Sequence, residues 1–126
     1  KMKKLAIIAF AFMAILFTSC EKQQSGMDFY FGASVSTRVL GGHSDAEMFQ
    51  IGADAGFKIG EKRTFQGSET ECYKQASDWL NNTVKQVKQT ISNNLYEGET
   101  YTAKVTKGNS DLVVGMVVIS GTKAIN

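Results

Sequence analysis

The chain has 126 residues, enough for one folded domain and too few for two. Charged residues make up 21% and the AVILMFWYC set 43%, which excludes a wholly disordered or collagen-like chain. The net charge of +2 is owed to Lys1, Lys3 and Lys4; residues 20–126 carry 11 basic against 12 acidic residues, so the charge balance gives no support for a nucleic-acid-binding surface.

Behind the three lysines, Leu5–Ser19 runs for 15 residues without a charge. A spanning helix needs ~20 apolar residues, whereas the apolar core of a signal peptide needs only ~7–15. The length therefore fits a signal peptide, with Met2 as its initiator. Leu16-Phe17-Thr18-Ser19-Cys20 resembles the lipobox of bacterial lipoproteins in the style of Bacteroidota, although Phe17 departs from the commoner small or aliphatic residue. The resemblance implies that Cys20 is acylated on sulfur, that the leader is cut before it, and that the mature chain is extracytoplasmic. One acyl chain binds a membrane only marginally, so a lipoprotein anchor relies on two or more. The implied organisation is a signal peptide over 1–19, an acylated Cys and tether over 20–27, and a single α+β domain over 28–126. With Cys20 carrying lipid, Cys72 has no partner for a disulfide, and it reads as a buried small hydrophobe.

Two runs with a period of two open the domain. Phe29, Phe31, Ala33, Val35, Thr37 and Val39 alternate with Tyr30, Gly32, Ser34, Ser36, Arg38 and Leu40, and Phe49, Ile51, Ala53, Ala55, Phe57 and Ile59 alternate with polar residues and glycines. Each reads as a strand with one buried face. Gly52, Gly56 and Gly60 share one face of the second run, which calls for a bulge or a covering aromatic such as Tyr30. Between the runs, Gly41–Glu47 holds the lone histidine, His43, with Asp45 and Glu47. These three could hold a metal or form a base oriented by a carboxylate. Their spacing matches no ligand motif, and the composition is that of an ordinary solvated loop.

No glycine lies between Gly67 and Gly98. Inside that window Cys72, Ala76, Leu80, Val84, Val87, Ile91 and Leu95 recur every three or four residues, which places them on one face of a helix over 69–94. Ser68 and Glu71 have the spacing of a capping box, and Asn93-Asn94 offers stop chemistry through the left-handed conformation. Beyond it, Tyr101, Ala103 and Val105 alternate with polar residues. Gly108-Asn109 suits a tight turn into Asp111–Ile119, a run apolar on both faces that suits a central strand or one covered by a partner.

The order predicts a β-β-α-β-β α+β domain: a four-stranded antiparallel sheet with one long helix packed on one face. Strand order 1-2-4-3 would make the last strand central. The helix should extend ~39 Å against ~30 Å for a nine-residue strand, so it must overhang, kink or contact something further. Four strands are too few for an outer-membrane barrel. No glycine-rich phosphate loop, nucleophile elbow or Cys/His zinc pattern is present, and no cofactor is implied. These readings point to a small lipid-anchored protein of the inner or outer membrane that works by binding. Its expected partners are the membrane and a second copy or another envelope protein. The alternative is a small envelope hydrolase or isomerase with its site near 41–47.

Overall fold

The computed structural model describes residues 26–108 and 110–125, so the expected leader, Cys20 and the expected tether up to residue 25 lie outside the described residues. Alternation holds along Met27–Thr37 (β1): Phe29 and Phe31 are buried, whereas Ser34 and Ser36 are exposed. The strand ends three residues earlier than its pattern suggests, because the chain turns back at Gly41, whose φ of 79° suits glycine.

The second alternating run is not a strand. Asp45–Ala55 forms a helix, α1, and the second strand is the short segment Lys62–Phe65, β2. Two local signals outweigh the period-two pattern. Ser44 and Glu47 form a reciprocal capping box at the helix start, and Gly56 closes the end at φ 113°. Between Ile51 and Phe57 the run is Gly-Ala-Asp-Ala-Gly, residue types depleted in strands. Gly52 is covered by an aromatic ring, but the ring is that of Tyr101 rather than Tyr30.

Glu69–Asn94 is the expected 26-residue helix, α2, and its Ser68/Glu71 capping box is present. Its stop chemistry differs from expectation. No non-glycine residue has positive φ among the described residues; the helix ends because Leu95 turns extended and buries its side chain. Glu99–Lys107 (β3) and Val113–Ser120 (β4) complete an antiparallel sheet in the order β2-β1-β3-β4. The α+β class with one long helix on a four-stranded sheet is thus observed, with α1 inserted between the first two strands.

The predicted order 1-2-4-3 is corrected: β4 lies at an edge, and β1 and β3 form the centre. Nine residue pairs join them, from Phe29↔Lys107 to Thr37↔Glu99. These two strands hold the long buried alternation, with Tyr101, Ala103 and Val105 lying beside Val35, Ala33 and Phe31 on the same face of the sheet, turned toward the helices. The two-sided apolarity of β4 has a different origin. Ile119 faces the helices and is buried, whereas Met116 and Val118 point to the other side and are 57% and 54% exposed.

The extra length of α2 is used rather than left hanging. Ser77 lies against Gly115 of β4, Ser92 donates to the Ser120 carbonyl at 2.8 Å, and Trp79 reaches across to stack on Phe31 with centroids 3.9 Å apart. At the N-terminal end Gln75 donates to the Gln66 carbonyl, tying the helix to the loop after β2. The apolar face is therefore buried from Cys72 to Ile91.

Gly52 lets α1 approach the sheet closely. A Cβ there would run into the Tyr101 ring and hydroxyl. Alanine normally improves a helix by up to about 1 kcal/mol over glycine. At this position the overpacking penalty of about 1–3 kcal/mol should prevail, so Gly52→Ala is expected to lower the denaturation midpoint. A midpoint unchanged or raised in a urea titration would contradict the packing.

Candidate functional site

The loop singled out by its histidine is organised by a residue from β3. Glu99 is fully buried at the start of that strand, and both of its oxygens are engaged. Oε1 accepts from the His43 ring Nδ1 at 2.7 Å and from the Tyr96 backbone N–H at 2.9 Å. Oε2 accepts from the His43 backbone N–H at 2.7 Å and from the Thr37 hydroxyl at 3.0 Å. One carboxylate thereby joins the end of β1, the 41–44 loop and the α2–β3 turn.

Burial pushes the Glu99 carboxyl up, but the hydrogen bonds from the His43 ring, from the Tyr96 and His43 backbones and from Thr37 outweigh it. The net result holds Glu99 below the usual carboxylate range. An ionised carboxylate only accepts, so Nδ1 of His43 carries the proton. The imidazole lies flat on Tyr96, with centroids 4.4 Å apart and planes 10° from parallel, and the Lys123 ammonium sits 5.8 Å from the other aromatic centroid.

Of the three residues predicted for this loop, only His43 enters the cluster. Glu47 accepts from the Ser44 backbone N–H and caps α1, and Asp45 lies exposed in the first turn, where the helix dipole favours an acid. Neither bonds to His43. Sequence reasoning missed Glu99, although a signal existed. Extending the alternation of Val105, Ala103 and Tyr101 back by one step lands on Glu99 and places it on the core face.

Chemically, a carboxylate on Nδ1 orients an imidazole as a general base requires. Here, however, the carboxylate is saturated by four donors that fasten three segments together. No Ser, Thr or Cys side chain bonds to the ring among the described residues, and no group of three metal-binding side chains comes together there. The cluster acts as a clasp. Cys72 is equally remote from chemistry: it is buried, its thiol donates to the Phe65 carbonyl at 3.4 Å, and burial pushes its pKa up. Tyr101 is fully buried, and burial raises its phenol to about 12, so it remains neutral.

The other surface of note is the sheet face turned away from both helices. Register sets out its rows: Gly32, Lys104 and Met116 in one, Ser34, Thr102 and Val118 in the next, and Ser36, Thr100 and Ser120 at the end. The middle of the face is polar, and the β4 margin is apolar. Among the described residues no helix is long and apolar enough to cross a membrane. Searches of protein-family models, curated proteins and solved structures find no match to this chain.

Proposed function

We propose that this chain is an acylated lipoprotein of the bacterial cell envelope whose domain is an interaction module that pairs with a second copy through β4. The anchor rests on the lipobox-like Leu16–Cys20 segment and the 15-residue uncharged run before it. The observation that carries the binding role is the state of β4. No strand pairs with its outer edge among the described residues, and Val113, Met116 and Val118 are exposed at 36%, 57% and 54%.

Exposed edge strands are normally blunted by lysine, proline or a short length. Val113–Ser120 has eight residues with no charge and no proline. A second copy meets it without like-charge repulsion, and antiparallel pairing about a twofold axis satisfies both edges alike. Such a contact is small beside the ~800 Å² per partner of a standard interface, so it suits a weak association. A lipid anchor on each copy raises their effective concentration and strengthens a weak contact.

Light scattering on residues 20–126 carrying Cys20→Ser should show association that grows with concentration. Val118→Lys should restore the monomer without lowering the denaturation midpoint, since Val118 is half exposed. A strict monomer at millimolar concentration would refute pairing through β4.

A further inference from the structure

We propose that the end of the open sheet face forms a binding site for a small polyhydroxylated carboxylate. Ser36, Arg38, Gly98, Glu99, Thr100 and Ser120 line a cleft of about 250 Å³ there. The cleft is open to solvent on one side and has room for a small molecule lying along the sheet.

Register builds the floor of the cleft. Ser36 pairs with Thr100 and Thr100 with Ser120, so three hydroxyls stand side by side across β1, β3 and β4, at the ~4.8 Å spacing of neighbouring strands. None of the three side-chain hydroxyls takes a hydrogen bond within the chain among the described residues; at Ser120 it is the backbone carbonyl, not the hydroxyl, that accepts from Ser92. A hydroxyl both donates and accepts, so such a row matches a ligand that is itself rich in hydroxyls.

Arg38 supplies the charge. It follows Ser34 and Ser36 in the alternation, its backbone N–H donates to the Gly98 carbonyl at 3.1 Å, and it forms no ion pair among the described residues. A guanidinium with no acid to satisfy it matches a carboxylate with two parallel hydrogen bonds. Gly98 adds no side chain to the mouth of the cleft. Glu99 contributes only its backbone side, because its carboxylate is turned to the opposite face and held by four donors. A single cation together with several neutral hydroxyls therefore favours a monoanion bearing alcohols over a doubly charged phosphate. This site depends neither on the lipid anchor nor on pairing through β4.

Gluconate serves as the probe, with glucitol (the alcohols without the charge) and propionate (the charge without the alcohols) as its two halves. In an NMR titration of the purified full chain at fixed ionic strength, gluconate should move the amide signals of Ser36, Arg38, Thr100 and Ser120. The dissociation constant should be on the order of 1 mM for a ligand of this size. Glucitol, propionate and inorganic phosphate should each bind at least tenfold more weakly. Arg38→Gln, an exposed position whose structural bond is made by its backbone, should weaken gluconate at least tenfold, and Thr100→Val about three- to tenfold. Signals of the core residues report that each variant is folded. Equal binding of propionate or phosphate would overturn the proposal, as would gluconate shifts that survive Arg38→Gln or that centre on Lys104 or Lys123.

Discussion

Glu99→Ala is expected to destabilise the fold by about 3–5 kcal/mol, as removal of one partner from a buried charged cluster does. Four donors lose their acceptor at once: the His43 ring and backbone, the Tyr96 backbone and the Thr37 hydroxyl. Glu99→Gln rescues little, because either orientation of the amide points its NH₂ at a backbone or ring N–H. Acid supplies an independent check. Since the folded state holds the Glu99 carboxyl below its ordinary value of 4.5, its ionised form stabilises the protein above that pH. That contribution declines as pH falls through the lower folded-state value. The gap in stability between wild type and Glu99→Gln should therefore be widest near neutrality and narrow on acidification. A gap independent of pH between 7 and 3 would show that the carboxylate charge contributes nothing.

Trp79→Ala is expected to cost about 3–5 kcal/mol and to lower the thermal midpoint by more than about 12 °C. Trp79 sits where α2, β1 and β2 meet. It stacks on Phe31 at 3.9 Å, meets Phe65 edge-on at 6.0 Å, and lies beneath the Arg63 guanidinium at 5.3 Å. Deleting the indole removes a partner from each of these and leaves a void that Phe31, clamped between Trp79 and Phe57, cannot collapse to fill. Trp79→Phe should recover part of the loss. A calorimetric midpoint within a few degrees of wild type for the alanine variant would mean that the core is not organised around this contact.

Those two positions show what could be read along the chain and what could not. The α2 helix was legible because Ser68/Glu71 and the apolar spacing from Cys72 to Leu95 agree. So were β1 and β3, whose alternation matches their burial, and the existence, though not the place, of β4. At residues 49–59 two signals conflict. Phe49, Ile51, Ala53 and Ala55 alternate like a strand, but the Ser44/Glu47 cap is the same device that marks α2, and the local cap prevails in a segment without β-branched bias. Missing α1 concealed β2, since Lys62–Thr64 is exposed and presents no apolar face to read. The edge position of β4 was hidden because apolarity on both faces suits a central strand as well as an unpaired sticky edge. The His43–Glu99 clasp joins residues 56 positions apart, and only the sheet register brings them together. The cleft row Ser36–Thr100–Ser120 was hidden for the same reason: each hydroxyl alone is an ordinary strand residue.

The proposed function places a lipid anchor at Cys20, where the expected apolar leader ends. Metabolic labelling of the wild-type chain and Cys20→Ser with a fatty-acid probe, followed by membrane fractionation, tests it directly. The expected result is a labelled, leader-free wild-type protein in the membrane fraction and an unlabelled Cys20→Ser protein. Wild-type protein that takes up no label, or that is recovered from the cytosol with its leader attached, would contradict the account.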